Sequence, residues 1–550
     1  MMTGSDSQPT RGQLRPLGLW KPTHGAPVFG GQPLVDAVGH FRETAHVVAH
    51  PETGHLGVGA GGQLAPGRVD ADASDYLWMA TLAPLYPEWL GNRAFCEVHG
   101  VRFPYVAGAM ARGIASTDMV VSMARAGMLS FLGTAGLSPA RVEHDLDVIE
   151  DAIGGQNLPW GVNLIHSPNE PDVERQVVDL YLERGVTTVS ASAFMRLTPP
   201  LVRYACKGLT TDADGRIRRR NRVVAKVSRA EVARRFMEPA PASILEKLVQ
   251  RGELTEQEAR LARRVPVAED VTAEADSGGH TDGRPLSALL PSLADLAGEI
   301  AREHGYERTP RIGAAGGIGT PAAVASAFSL GADYVLTGSI NQCSLEADVV
   351  PEAKQMLADA EQTDVATAPS ADMFEIGAKV QVLSRGTMFA SRANLLGKLY
   401  ADFDSLDEIP DDKRRQLEKQ VFRTSIEDIW DKTRSFWSER DPEEVEEAEA
   451  NPRHKMALVF RWYLGKSSRW PIAGESDRRL DYQLWCGPAM GAFNQWVRGS
   501  FLEDPAERSV VQMALNLMEG AARVTRAQQL RSYGVHLPET AFQFEPRPLH

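Results

Sequence analysis

Between residues 103 and 339 the chain repeats one pattern eight times: a short apolar, β-branched run ending in Gly, Ala, Ser or Asn, mostly followed by a helix-like stretch. The runs are FPYVAGAM (103–110), GMLSFLG (127–133), WGVNLIH (160–166), TTVSASAF (187–194), RVVAKVS (222–228), DVTAEAD (270–276), RIGAAGGI (311–318) and DYVLTGS (333–339). Strands that are apolar throughout are buried on both faces, as in parallel sheets covered by helices. An open doubly wound sheet is the alternative, but a count of eight favours an α/β fold of the (β/α)8 TIM-barrel type. Two connectors are long. The fourth contains DADGRIRRRNR, read as a hairpin turning at Asp-Gly, and the fifth, about 229–266, carries helical patterns and reads as a helical insertion.

The flanks have a different texture. Residues 1–95 are rich in Gly, Pro and His and read as an irregular segment or a small β-rich cap; 96–400 hold the barrel; 401–550 show helical periodicity and many tryptophans, as expected of a helical C-terminal domain. The first residues lack an apolar run, so no secretory signal is expected, and no apolar stretch is long enough for a membrane span. Four scattered cysteines argue against a structural metal site and for a reducing, cytoplasmic setting. The net charge of −13 argues against a nucleic-acid partner.

In such a barrel the chemistry sits at the C-terminal strand ends. Asn163, Lys226, His280, Gly316-Gly317 and Gly338-Ser339 lie there. Two glycine turns after consecutive strands let backbone N–H groups approach a phosphate. Thr320 as N-cap and Pro321 at the first helical position place a helix dipole beside it. Taken alone, AAGGIG is equally a tight turn; the second glycine turn, LTGSI, favours phosphate. A lysine inside the rim calls for an anionic partner unless it snorkels outward. The run RIRRRNR (216–222) reads either as a docking patch for an acidic protein or as a solvated hairpin face.

The motifs FPYVAGAM, WGVNLIH, EADSGGHTD, AAGGI and VLTGS, in that order, resemble the nitronate monooxygenase-like flavoproteins. With SRAEVARRF, EADSGGHTDGRP and CGPAMGAFNQWVRGS, the chain after residue 100 resembles the trans-acting enoyl reductases of polyunsaturated fatty acid and polyketide synthases. That resemblance implies FMN as cofactor, NADPH or NADH as hydride source, and a 2-enoyl thioester on an acyl carrier protein domain as substrate. It places Gly108, Met110 and Asn163 against the flavin, Gly316, Gly317, Gly338 and Ser339 around its phosphate, and His280 as the catalytic histidine. Lys226 faces the flavin or its phosphate, and Asp276 and Asp282 orient the imidazole or hold the loop through Arg284. Ala107-Gly108-Ala109 departs from the Gly-Gly of simpler relatives. The rival readings are a nitronate-oxidising enzyme and a non-catalytic barrel in a synthase complex. Oligomeric state is open, a homodimer being one option.

Overall fold

A computed structural model of the chain describes residues 15–23, 25–68, 75–166, 171–371 and 373–549. The expectation about a secretory signal rests mainly on residues 1–14, outside that range.

The eight apolar runs form a closed parallel barrel: β1 (Tyr105–Ala107), β2 (Leu129–Leu132), β3 (Gly161–Ile165), β4 (Thr188–Ser192), β5 (Arg222–Val227), β6 (Asp270–Glu274), β7 (Arg311–Ala315) and β8 (Val335–Thr337). Each pairs with its neighbours in sequence order, and β8 closes on β1 through Val335–Tyr105 and Leu336–Val106. Inside, Val106, Leu129, Phe131, Val224 and Leu336 share one cluster with Phe95 and Tyr334, whose rings stack at 4.3 Å. Phe95 lies on the short helix Arg93–His99, which sits at the strand-start end and begins where the Asn92 side chain accepts from the Ala94 N–H.

A buried ionic cluster joins that end of the barrel. Asp270, 1% exposed at the start of β6, accepts from Arg311 Nε (2.6 Å) and Nη2 (2.8 Å) and lies 2.9 Å from His99 Nε2. Burial alone would raise its pKa; Arg311 and His99 outweigh that and hold the carboxyl far below the usual range.

The insertion after β5 carries three helices: α1 (Ala230–Met237), α2 (Ala242–Gln250) and α3 (Glu256–Ala262). Its position between two strands suggests a lid over the strand ends, and the structure overturns that. Only α1 is the barrel's own return helix, packing on β5, β6 and the helix Leu286–His304. Helices α2 and α3 lie against the helix Pro199–Cys206, and α3 also touches the hairpin before β5. Glu258 accepts from the Gly208 N–H and pairs with Lys207, both on the approach to that hairpin. The insertion therefore braces the strand-start face. The hairpin turns at Asp214-Gly215 as expected, pairing Thr210–Thr211 with Ile217–Arg218. Three of the five arginines in the run 216–222 are paired: Arg216 with Glu307, Arg218 with Asp212, Arg219 with Glu269. This favours the solvated hairpin face over a docking patch.

Within the barrel α4 (Pro321–Ser329) joins β7 to β8, and beyond it come the C-terminal helices α5 (Ile426–Arg440), α6 (Pro442–Ala450), α7 (Pro452–Ser467) and α8 (Pro488–Val497). Helix α4 starts where Thr320 Oγ1 accepts from the Ala323 N–H with Pro321 in the first turn, as its sequence requires.

By contact density the chain divides into two units that do not follow the three sequence textures: Met1–Leu90 with Leu517–Glu545, and Gly91–Asn516 with Pro546–His550. In the first unit the segment expected to be irregular or a small β-rich cap carries a five-stranded antiparallel sheet, in the order Leu56–Ala60, Ala45–Ala49, Tyr76–Leu82, Gly18–Lys21, Gln63–Pro66. Leu34, Val38 and Val47 pack there with Ala527 and Leu530 from the last long helix and with Val535 just after it, and Arg42 pairs with Glu519 at 2.5 Å.

Candidate active site at the strand ends

The end of β7 is built from two glycines with left-handed backbone, Gly316 (φ 89°) and Gly317 (φ 71°). A side chain at Gly316 would lie 2.6 Å from the Ala275 carbonyl carbon at the end of β6, so only glycine fits. A side chain at Gly317 would meet nothing within 4 Å: it faces open space. The same holds at Gly338, after β8. Ser339 follows, its Oγ accepting from the Gly487 N–H at 3.2 Å.

Gly487 is the N-cap of α8, and it brings a fourth chain segment to the site. A Cβ on Gly487 would lie 2.8 Å from the Gly278 nitrogen. One on Gly278 would lie 2.8 Å from the Cys486 nitrogen and 2.9 Å from Ser339 Oγ. The first glycine of SGGH and the glycine of CGP thus pack backbone on backbone. Next to them, Ser277 Oγ is buried with no partner. From sequence, the C-terminal motif that begins at Cys486 supports the family resemblance without disclosing a role at the site. Its link to Ser339 spans 148 residues, and no local signal carries it.

Around the rim, the Gly108 N–H donates to the Thr337 carbonyl at 2.8 Å, and Met110 is 8% exposed. Asn163 is 4% exposed; its Oδ1 accepts from Ser192 Oγ (2.9 Å), and its carbonyl accepts from Thr134 Oγ1 and Tyr181 OH. The Ser192 bond, between the β3 and β4 ends, pins the side chain, and the other two hold the backbone beneath it. Lys226 has its anionic partner within the protein: Nζ lies 2.8 Å from Glu274 Oε1, across the neighbouring strand, with both side chains largely buried. Nothing in the sequence singles out Glu274 for that role.

His280 does not sit on a barrel strand. The short strand Gly279–His280 pairs antiparallel with Lys379–Leu383, which pairs in turn with Val365–Pro369. The imidazole is exposed, with Nε2 2.8 Å from Ser370 Oγ. Asp276 accepts from Gln381 Nε2 at 3.1 Å, and burial raises its pKa. Asp282 takes both nitrogens of Arg229 at 2.9 Å and the Ser228 hydroxyl; the Arg229 hydrogen bond, opposed by burial, brings its pKa down to about 2. The loop is thus tied through Arg229, and also through Arg284, whose carbonyl accepts from the Asp276 N–H at 2.9 Å and whose charge helps to lower the Asp282 pKa.

A second feature at the strand ends escapes a reading of the sequence. His166, directly after β3, places Nδ1 2.9 Å from Glu174, whose other oxygen accepts from Thr198, and stacks on Phe194 at 5.3 Å. These groups border a cavity of about 350 Å³ with Arg196 at its edge. The acid partner lies on the next helix, eight residues on, so the histidine alone carries no signal.

Comparison with known proteins fits this architecture. Residues 92–374 match the family described as nitronate monooxygenase, and residues 403–482 match the inserted helical domain of [acyl-carrier-protein] S-malonyltransferase. The chain belongs to the first family, the nitronate monooxygenase-like flavin-dependent oxidoreductases. Within it, the chain falls with the enoyl reductases associated with polyketide and polyunsaturated fatty acid synthases. The enoyl reductase domain of MlnA, from the macrolactin cluster of Bacillus amyloliquefaciens, is 40% identical with a TM-score of 0.77; the match covers 81% of this chain and 98% of that domain. The polyketide biosynthesis protein PksE of Bacillus subtilis is 45% identical over 80% of this chain and 57% of its own length. A polyunsaturated fatty acid synthase polypeptide of Thraustochytrium is 44% identical over 83% of this chain. The chain spans only 31% of that much longer protein.

Proposed function

We propose that this chain is an FMN-dependent, NADPH- or NADH-driven enoyl reductase that acts in trans on 2-enoyl thioesters carried by acyl carrier protein domains of a polyketide or polyunsaturated fatty acid synthase. The observation that carries the reading is the glycine cradle: Gly317 and Gly338 border open space beside Ser339, Gly487 and the N-terminus of α4. Exposed N–H groups, a hydroxyl and a helix dipole are what a phosphate monoester requires, and the partnerless Ser277 hydroxyl adds a donor. The residues present therefore fit FMN. Once bound, FMN supplies hydride chemistry between the nucleotide and the β-carbon of the enoyl group.

The remaining work falls to the chain's own groups. Gly316, Gly317, Gly338 and Ser339 hold the phosphate. Gly108 and Met110 line the cofactor, and Asn163, fixed by Ser192, presents its amide to it. Lys226 donates to the cofactor while Glu274 fixes the ammonium in place, so the pair adds no net charge to the rim. His280, steadied by Ser370, delivers the proton to the α-carbon.

The helical match bears on the partner. A malonyltransferase and an enoyl reductase perform unrelated reactions, and a carrier protein is what the two can share.

His280→Ala tests the proton assignment. Loss of a general acid lowers a rate by about 10²- to 10⁴-fold. Stopped-flow absorbance should show that loss in enoyl-dependent flavin reoxidation, with flavin reduction by the nucleotide unchanged. Unchanged reoxidation would remove His280 from the chemistry.

A further inference from the structure

In a chain with a net charge of −13, the helical segment 403–482 gathers cations around one cleft. Helices α5, α6 and α7 pack on one another, and Lys455 near the start of α7 sits over the Trp430 ring near the start of α5, so those two helices run side by side in the same direction. A cavity of about 230 Å³ opens between them and the segment that follows α7. Trp462 and Trp470 line it with ring centroids 6.2 Å apart, and the Arg478 guanidinium lies 4.7 Å over the Trp470 ring.

Its charges divide into two kinds. Arg478 and Arg423 are tied to the buried Asp481, and Arg423 holds a left-handed backbone (φ 59°) to reach it. They are part of the wall. Lys432 and Lys466 also line the cavity; both are exposed, and neither makes an ion pair among the described residues. Among those residues, Glu475 is the one acid that lines it. Farther along the same two helices, Arg440 stacks on the exposed Phe436 at 4.5 Å. Burial, and then the like charge of Arg440, lower the pKa of Arg469. Like charges left together beside an exposed aromatic ring, here Phe436, are costly for an isolated protein and are the usual make-up of a surface that meets an acidic partner.

Resting on the enoyl-reductase reading, we propose that this cleft is the docking site for the acidic carrier domain that delivers the substrate. Lys432 and Lys466 meet its carboxylates, and the partly exposed Trp462 meets an apolar side chain, with the buried Trp470 behind it. The stretch from Trp470 to Gly487 then leads directly from the cleft to the glycine that donates to Ser339. The same helical segment is the part that matches a malonyltransferase.

The test uses the full chain with Lys432→Glu and Lys466→Glu combined, both at exposed positions outside the proposed catalytic groups. Two substrates are compared: a 2-butenoyl group on an excised carrier domain of a polyketide synthase, and the same group as its N-acetylcysteamine thioester. The double variant should lose about 10- to 100-fold in kcat/KM on the carrier-bound substrate, the range of electrostatic steering, with the small thioester turned over as by wild type. Added salt should slow the wild type on the carrier substrate and leave the variant nearly unaffected. Equal kcat/KM of variant and wild type on the carrier substrate would overturn the proposal, as would a parallel loss on both substrates. A wild type that reduces neither thioester would instead overturn the enoyl-reductase reading, and the docking site with it.

Discussion

Gly317→Val is expected to purify as a folded, colourless protein. At φ 71° a β-branched residue is strained by roughly 1–2 kcal/mol, a cost that a barrel of this size absorbs. Among the described residues nothing lies within 4 Å of the place the new Cβ would take. The valine therefore occupies the volume assigned to the phosphate, and its branched methyl groups shield the N–H groups meant to hold it. Absorbance of the purified protein near the flavin bands, set against its far-ultraviolet circular dichroism, separates loss of cofactor from loss of fold. Stoichiometric flavin in this variant would place the phosphate elsewhere.

The largest effect on stability is expected at the other end of the barrel. Asp270→Asn leaves the buried Arg311 facing a neutral amide, and breaking a buried pair on one side costs about 3–5 kcal/mol. The apparent midpoint in urea should fall accordingly while flavin content is retained. The sign with pH follows from the depressed pKa: the contribution is fully present above the unfolded value, about 4, and drains away as pH falls towards the folded one. The wild type should lose its advantage over Asp270→Asn on acidification. A constant difference between the two proteins down to low pH would contradict the assignment.

What the sequence discloses depends on how local each feature is. All eight barrel strands are legible because burial on both faces leaves unbroken apolar runs, and the glycine turn after β7 is legible because its glycines, N-cap and proline lie within six residues. The N-terminal sheet is legible only as the β-rich alternative, with none of its strands placed. Its strands are short, Gly18–Lys21 and Gln63–Pro66 among them, and antiparallel partners that are far apart leave no period to read. The insertion's lid position follows from order along the chain alone, whereas α3 is held by Glu258 at the opposite face. At the site, each missed partner lies on another element: Glu274 for Lys226, Ser370 for His280 across 90 residues, and Gly487 for Ser339.

The central claim is the electron acceptor. The nucleotide-reduced protein, mixed with a 2-enoyl thioester in the absence of oxygen, should return its flavin to the oxidised spectrum with one saturated thioester formed per flavin. A reduced flavin that ignores the enoyl thioester and reoxidises only when oxygen is admitted would contradict the account and favour an oxygen-using monooxygenase on the same barrel.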